Sequence, residues 1–330
     1  MVKTKNFQLP ITLLYLILFL TVINSFNLTY CATLKLTVVT NKTEYNVGET
    51  IQITGNLTMD GSPVSDWILA LQVNDPRGKY HVLRALPIGS PQYFGVEVLN
   101  VYLSDEIGNP KSSVRRGTLG YITIIWRNKA SQDLPASITL NLYYENKQPF
   151  LAFIPFKGTV RAGSTQNMTV SVPIPSDAPT GAAFVYSAAF SDMPSNDGYA
   201  YCPEKSSSFM ITSTSTLSQL EKALQEDGTF NVTFKVPRQG ALLGYYTIYA
   251  STLHQFQYFQ KTRLFRVMLL GDVDFNGKVD MSDVGIILRA YGTKKGGQGW
   301  NPDYDLNKDD KVDMSDVGIV LRNYGNYGTY

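Results

Sequence analysis

The 330-residue sequence predicts a mainly β protein that ends in a small helical domain. Between residues 34 and 268, short runs of alternating apolar and polar residues are separated by Gly, Pro, Asn and Asp, which is typical of antiparallel strands. From residue 270 onward the pattern changes, because an acidic loop followed by an apolar helical period is written twice. The chain therefore divides into a long β region and a duplicated C-terminal segment, residues 270–330.

Eight alternating runs predict strands in the β region. They are LKLTVV (34–39), TIQITGNL (50–57), WILALQV (67–73), YHVLRAL (80–86), YITIIWR (121–127), SITLNLYY (137–144), FNVTFKV (230–236) and YYTIYAS (245–251). Their spacing is typical of immunoglobulin-like β-sandwiches, in which two antiparallel sheets pack face to face. Helical spacing occurs here only around Leu217, Leu220 and Leu224, which predicts one short helix.

The C-terminal segment contains an internal repeat. Residues 271–292 read GDVDFNGKVDMSDVGIILRAYG, and residues 304–325 read YDLNKDDKVDMSDVGIVLRNYG. Over residues 278–292 and 311–325 the two copies agree at 13 of 15 positions. Such identity between two segments 33 residues apart indicates a duplicated structural unit.

The first loop has the residue types of a calcium site when Asp272 is counted as position 1. Oxygen-bearing side chains stand at positions 1, 3, 5, 9 and 12, namely Asp272, Asp274, Asn276, Asp280 and Asp283. Gly277 at position 6 allows the sharp turn, and Lys278 at position 7 is expected to offer its backbone carbonyl while its charge points away. Hard oxygen donors without Cys or His favour calcium over zinc or copper.

The second loop repeats the pattern and predicts a second calcium ion. Its side-chain ligands are Asp305, Asn307, Asp309, Asp313 and Asp316, with the backbone carbonyl of Lys311 at position 7. Position 6 is Asp310 in place of glycine. A left-handed backbone there costs about 1 kcal/mol, so we expect the second loop to bind more weakly.

Each loop leads directly into a predicted helix. In the first copy Val284, Ile287, Leu288 and Tyr291 recur at helical spacing, and Gly292 is the candidate C-cap. A strand or a linker, and no helix, is expected before each loop. Each unit is therefore half of an EF-hand.

The C-terminal segment resembles a dockerin module, the calcium-binding docking domain of cellulosomal and related surface proteins. Asp at position 12, the missing first helix and the 33-residue duplication carry the resemblance. It implies a cohesin-type partner that contacts positions 10, 11 and 18. These are Met281, Ser282 and Arg289 in the first copy, and Met314, Ser315 and Arg322 in the second. Their near-identity predicts docking in either of two orientations; the alternative is that both methionines pack in the core.

The N-terminus has the form of a secretory signal peptide. Lys3 and Lys5 precede an apolar run over residues 9–23, after which polar residues begin. We therefore predict a signal peptide over residues 1–31 and a secreted, cell-surface-associated protein. An uncleaved anchor is the alternative, although the run is shorter than the about 20 residues that span a membrane.

The composition fits an exported protein. The net charge is +2, with 29 basic and 27 acidic residues, which gives no reason to expect nucleic-acid binding. Cys31 is either lost with the signal peptide or paired with Cys202. Glycosylation sequons stand at Asn27, Asn41, Asn56, Asn167 and Asn231.

Two further resemblances lie in the β region. Residues 34–75, with TEYNVGETIQITGNL before a strand that carries Trp67, resemble the start of macroglobulin-type and bacterial immunoglobulin-like sandwiches. Residues 117–190, with Trp-Arg-Asn at 126–128 and RAGSTQNMTVSVPIP after it, resemble cell-adhesion-related (CARDB-like) domains of surface proteins. Both imply a fold and a location, and neither implies a reaction.

The strand count predicts a domain insertion. Residues 34–90 hold about four strands and residues 228–268 about three, whereas such a sandwich has about seven. We therefore expect one discontinuous sandwich, residues 34–90 plus 212–268, with a second sandwich, residues 91–211, inserted in a loop. Three domains in series are the alternative.

The residues predict no catalytic site. His81 and His254 stand alone in predicted strands, and most acids outside the C-terminal segment stand in turns, although acid pairs of glycoside hydrolases meet only in space. The leading hypothesis is a secreted, non-catalytic surface or scaffold-associated protein that docks through its calcium-loaded module. A carbohydrate-binding or polysaccharide-degrading component of a cellulosome-like assembly is the alternative.

Overall fold

The computed structural model describes residues 33–213 and 229–330, and this part of the chain is mainly β, as predicted. In chain order its strands are β1 (Leu34–Leu36), β2 (Val39–Thr40), β3 (Glu44–Asn46), β4 (Thr50–Met59), β5 (Ser62–Pro63), β6 (Trp67–Asn74), β7 (Tyr80–Ile88), β8 (Val96–Ser104), β9 (Ser113–Arg115), β10 (Leu119–Asn128), β11 (Leu134–Tyr144), β12 (Pro149–Val160), β13 (Thr165–Pro173), β14 (Gly181–Phe190), β15 (Lys205–Thr212), β16 (Thr229–Lys235), β17 (Gln239–Leu242), β18 (Gly244–His254), β19 (Gln257–Met268) and β20 (Tyr327–Thr329). The described helices are α1 (Met281–Arg289), α2 (Met314–Asn323) and a 3-10 turn at Pro194–Asn196.

Two of the sequence predictions fall outside the described residues. They are the signal peptide over residues 1–31 and the short helix around Leu217, Leu220 and Leu224. Within the two described ranges, neither helix has the length and apolar character needed to cross a bilayer.

The first sandwich is built from strands at both ends of the β region. In one sheet β4 pairs with β1, β2, β5 and β16, and the facing sheet has the order β3-β19-β18-β6-β7. The β4–β16 register joins Ile53 to Val232, and the β6–β18 register joins Val73 to Ile248. Strands before residue 90 and after residue 228 therefore share both sheets. Whether residues 91–211 fold on their own stays a prediction.

The second sandwich lies entirely between residues 96 and 212. Its sheets have the orders β13-β10-β8 and β12-β11-β14-β15-β9, and its core surrounds Trp126, which is 1% exposed. Cys202 lies in this core without a disulfide partner among the described residues, and burial raises the pKa of its thiol. Cys31, its potential partner, is outside the described residues.

Strand β6 is buried on both faces. Trp67 and Leu69 point into the first core, whereas Ile68 and Ala70 belong to a separate apolar cluster with Phe190 of the second sandwich. WILALQV was among the runs interpreted as alternating, but the strand is buried at nearly every position, and this double burial explains why nearly all of its residues are apolar.

The second sandwich covers the free edge of β7. The backbone N–H of Leu83 donates to Asn141 Oδ1 at 2.8 Å, and that of Ala85 donates to Glu204 Oε2 at 3.0 Å. Arg84 Nε also donates to Glu204 Oε2, at 2.8 Å. Unpaired backbone groups at the edge of a sheet can pair with another chain. In this structure, side chains of the second sandwich accept hydrogen bonds from the backbone N–H groups at the β7 edge.

The C-terminal segment packs against the first sandwich. Strand β20 pairs in parallel with β17, and Leu243 N donates to Thr329 O at 2.7 Å. Ile287 of α1 and Val320 of α2 are fully buried in the same apolar cluster as Leu269, which follows β19. The segment and the first sandwich therefore share one continuous core.

The described sequon asparagines lie in strands or turns of the sandwiches. Asn41, Asn167 and Asn231 are exposed, whereas Asn56 is half-buried and its amide oxygen accepts from the Thr37 hydroxyl. The first three are therefore the more accessible acceptors.

Candidate metal centre

The first loop gathers three carboxylates directly after β19. One oxygen each from Asp272, Asp274 and Asp283 lies within 4.8 Å of the other two. Asp272 is 5% exposed and Asp283 is fully buried. Carboxylates this close repel one another, and burial removes the water that would screen them, so the arrangement favours a bound cation.

Asp283 joins the loop to the start of α1. Its Oδ1 accepts from Val273 N at 2.8 Å, and its Oδ2 accepts from Asp280 N at 2.8 Å. Asp280 in turn accepts from Ser282 N at 2.8 Å and so caps the helix. The carboxylate of Asp283, at position 12, is therefore held by backbone N–H groups. Asp280, at position 9, lies at the start of the helix, and calcium loops often bind the ion at this position through a water.

The C-terminal residue reaches the first loop. Tyr330 donates its hydroxyl to Asp272 Oδ2 at 3.0 Å, and Gly277 N donates to the same oxygen at 3.0 Å. Burial raises the pKa of Asp272, and these hydrogen bonds oppose the rise.

Gly277 is required at position 6 for two reasons. Its φ is +83°, and a Cβ there would lie 2.7 Å from the carbonyl oxygen of Gly328, which belongs to β20. Asp310 takes the corresponding place in the second loop with φ +67°. Its carboxylate is 62% exposed and lies 2.9 Å from Lys295 Nζ, so a side chain fits there at the cost of a strained backbone.

The second loop repeats the hydrogen bonds of the first. Asp316 Oδ1 accepts from Leu306 N at 2.8 Å, and its Oδ2 accepts from Asp313 N at 2.8 Å. Asp305, only 2% exposed, accepts from Asp309 N at 3.1 Å. Asn307 stands at position 3, so this loop places one carboxylate fewer at positions 1, 3 and 12 than the first.

The lysines at position 7 differ from each other. Lys278 is exposed, with its backbone N–H donating to Asn276 Oδ1 at 2.8 Å. The Lys311 ammonium instead lies 2.9 Å from Asp313 and 3.3 Å from Asp309. The acidic cluster attracts this ammonium. The hydrogen bonds from the Lys311 ammonium and from the backbone N–H of Ser315 lower the pKa of Asp313 to about 2.

The two units are joined reciprocally at position 8. Val279 O accepts from Gly325 N at 2.9 Å, after the second helix, and Val312 O accepts from Gly292 N at 2.9 Å, after the first. Both valines are buried. Each loop is thus paired with the chain that follows the other helix, which gives the segment an approximate internal twofold arrangement.

Six residues proposed to meet a partner lie on the surface. Met281 and Met314 are 62% and 59% exposed, so neither packs in the core. The other four are also exposed, and they are Ser282, Arg289, Ser315 and Arg322.

The sequence placed Leu288 and Tyr291 on the same helix face as Val284 and Ile287. The structure buries the last two and leaves Leu288 and Tyr291 50% and 52% exposed. Their counterparts in the second copy are 53% and 52% exposed, and these are Leu321 and Tyr324. Leu and Tyr recur at these positions in both copies, and this repetition was the signal in the sequence that the second copy exposes the same pair. We call these four residues and the six above the partner face.

No protein-family model matches the chain, and no curated protein matches it either. Among solved structures, the C-terminal domain of wzt is similar at 9% identity over 40% of this chain and 80% of that chain, with a TM-score of 0.32. A cycloisomaltooligosaccharide glucanotransferase from Paenibacillus sp. is similar at 15% identity over 37% of this chain, with a TM-score of 0.29, and the chain covers 15% of it.

A CARDB domain from Pyrococcus furiosus, solved with di-metal ions, is also similar. The identity is 12% over 37% of this chain and 93% of that chain, with a TM-score of 0.24. These TM-scores are all below 0.5, so the similarities carry no argument about fold, activity or partner.

Proposed function

We propose that this protein is a secreted, non-catalytic cell-surface or scaffold-associated protein that docks onto a cohesin-type partner through a dockerin-type C-terminal segment. The sandwiches serve as spacer or adhesion modules. The observation that carries the proposal is the duplication of the loop chemistry: Asp283 and Asp316 are both fully buried and accept the same set of backbone N–H groups.

The proposed cofactor is calcium, with one ion in each loop. The carboxylates and amides of positions 1, 3, 5, 9 and 12 and the backbone carbonyls of Lys278 and Lys311 form an all-oxygen donor set of the kind calcium prefers. The ion would neutralise the buried carboxylates and so hold each loop against its helix.

The partner face supports docking. It exposes the same methionine, leucine and arginine on both helices and a tyrosine just after each helix, and apolar groups that remain exposed on a folded protein often mark an interface. Because the two copies are related by the reciprocal Val279 and Val312 pairing, a partner would meet an equivalent surface in either orientation.

Secretion is supported by the sequence of residues 1–31 and by the exposed sequons at Asn41, Asn167 and Asn231. Surface association follows from docking, since the partner would be anchored and this chain would be held by it.

A binding experiment tests the docking proposal. The mature chain is passed over immobilised cohesin-type modules in calcium and then in EDTA. We expect saturable binding in calcium and none in EDTA. A chain altered in both copies, Met281→Asp, Arg289→Glu, Met314→Asp and Arg322→Glu, should not bind, whereas the control Ile107→Ala, which changes a residue 79% exposed on the second sandwich, should bind normally. Equal binding in calcium and EDTA would refute the proposal.

A role as a carbohydrate-binding or polysaccharide-degrading component is the second candidate. It is favoured by an aromatic cleft between the sandwiches. An assay for reducing sugar released from polysaccharides distinguishes a polysaccharide-degrading component from a carbohydrate-binding one, because a binding module releases no sugar.

A further inference from the structure

A cleft of about 670 Å³ lies where the two sandwiches meet. One wall is the β18–β19 hairpin of the first sandwich, with His254 and Phe256. The other walls are the linker before β8, with Tyr93 and Phe94, and the loop before β15, with Tyr199. Ligand-binding clefts have volumes of about 300–1,000 Å³ and often lie between domains.

Aromatic rings dominate the cleft. Phe256 is 97% exposed and Phe94 is 81% exposed, the two most exposed of the large apolar side chains in the described residues. Tyr93 and Tyr199 are half-buried, and Tyr201 stacks edge-on against Tyr199 at 5.5 Å between ring centroids. Leaving two phenylalanines in water has no benefit for folding, so their position beside a cleft indicates contact with a ligand.

The hairpin that presents Phe256 is strained. Strand β18 ends at His254 and β19 begins at Gln257, so Gln255 and Phe256 form a two-residue turn, with φ of +48° and +62°. Such a turn strongly favours Asn-Gly, because side chains other than glycine and asparagine resist the left-handed region. Strained residues concentrate at functional sites, and a bulky ring kept in this position has no structural task at 97% exposure.

The polar groups of the cleft select the chemistry of the ligand. Three amides, those of Gln92, Gln132 and Gln255, line it together with the carboxylate of Asp66. The amides can both donate to and accept from ligand hydroxyls, and a purely apolar ligand would offer them no partner. The Asp66 carboxylate already accepts from the backbone N–H of Ser90 at 2.7 Å and from the Ser65 hydroxyl at 3.2 Å.

The cleft also disfavours an anionic ligand. None of the residues that line it is Lys or Arg. The nearby Lys129 ammonium is 5.0 Å from the Tyr93 ring centroid, but it is paired with Glu97 at 3.5 Å. Burial lowers the pKa of His254. An uncharged ligand with both hydroxyls and apolar faces fits these observations.

We propose that this cleft binds a neutral oligosaccharide, with Phe94 and Phe256 stacking on the C–H faces of sugar rings and the glutamine amides contacting hydroxyls. Aromatic faces are electron-rich and attract such C–H bonds. This inference rests on the second candidate function, carbohydrate binding, and is independent of the calcium-dependent docking function.

The test is calorimetric titration of the mature chain with neutral hexasaccharides of glucose, xylose and mannose. We expect at least one to bind, and Phe94→Ala with Phe256→Ala together to weaken that binding tenfold or more. Tyr245→Ala is the matched control, since Tyr245 is 61% exposed and outside the cleft. EDTA should leave saccharide binding unchanged, so failure here is distinguishable from failure of calcium-dependent docking.

Phe256→Gly separates a ligand-binding role from a structural one. Glycine relieves the left-handed strain, so the variant should melt at a higher temperature than the wild type while its saccharide affinity falls. A lower melting temperature with unchanged affinity would overturn the proposal. So would binding of palmitate or a proline-rich peptide in place of every hexasaccharide.

Discussion

Asp283 and Asp316 occupy equivalent positions in the two loops, and each accepts two close backbone N–H groups at 2.8 Å, one from its own loop and one from the residue that caps the following helix. Both carboxylates are completely buried. Each carboxylate accepts its printed hydrogen bonds from backbone N–H groups, and a bound cation would complete its set of partners. Each aspartate therefore connects the proposed ion to its helix.

Calcium is expected to stabilise the C-terminal segment and to leave the second sandwich unchanged. Binding to the folded form alone adds about 2.7 kcal/mol at a free calcium concentration 100 times the dissociation constant. Differential scanning calorimetry with and without EDTA measures this. The first sandwich is expected to respond in part, because Leu269 and Ile287 share one core, whereas the core around Trp126 is separate. Identical traces in both conditions would contradict the prediction.

If the partner can dock through either repeat, substitutions in one repeat alone should weaken binding only slightly. Met281→Asp with Arg289→Glu leaves the second copy intact, so we expect less than a fivefold loss of affinity for a cohesin-type module by surface plasmon resonance. The matched pair Met314→Asp with Arg322→Glu should behave alike, and all four changes together should abolish binding. Loss of binding from the first pair alone, with no effect of the second, would indicate a single fixed orientation.

The inserted sandwich is expected to fold alone. Residues 91–211 contain both sheets and the whole core around Trp126, whereas residues 212–268 hold strands whose partners β4 and β6 lie before residue 90. Fragment 91–211 should therefore melt cooperatively, and fragment 212–268 should not. Dispersed amide resonances from fragment 212–268 would instead support three domains in series.

His81 should make stability depend on pH. Its ring lies between Phe234 and Tyr246, at 5.6 and 5.3 Å between centroids, and burial lowers its pKa from 6.5 to about 4, against an opposing effect of Asp75. Between these values the unfolded chain holds a proton that the folded chain lacks, so stability falls as pH decreases from 6.5 towards 4.

Urea denaturation at pH 7 and pH 5 measures this dependence. The wild type should lose about 2 kcal/mol more than His81→Phe over that interval. His254 contributes in the same direction in both proteins, so it cancels in the comparison. An equal loss in the two proteins would show that His81 takes no part.

The sequence predicted well what is local. All eight predicted runs overlap observed strands, and α1 and α2 follow the loops where the repeat placed them. Strands β8, β12 and β15 lay outside those runs; β15 reads KSSSFMIT and β12 contains two prolines and a glycine, so neither alternates clearly. The residue types in these strands depend on how each strand packs against the neighbouring sheet, and the sequence of one strand alone does not show that packing.

Contacts between distant residues could not be predicted. Arg84 and Glu204 are 120 positions apart and meet only because the second sandwich covers the β7 edge. The aromatic cleft likewise joins five separate segments of the chain, and its Gln255-Phe256 turn lacks the Asn-Gly signature of a tight hairpin. The exposure of Leu288 and Tyr291 depended on how much of α1 the first core covers, which helical spacing alone does not determine.

Native mass spectrometry of the protein in calcium measures whether the two loops bind two calcium ions. We expect two ions on the wild type, one on Asp283→Asn and one on Asp316→Asn, with the ion of the second loop lost first as calcium is diluted, since Asp310 strains that loop. Asp303→Asn, a change outside both ligand sets, should retain two. A wild-type chain that carries no calcium, or that carries the same number in all four proteins, would contradict the account.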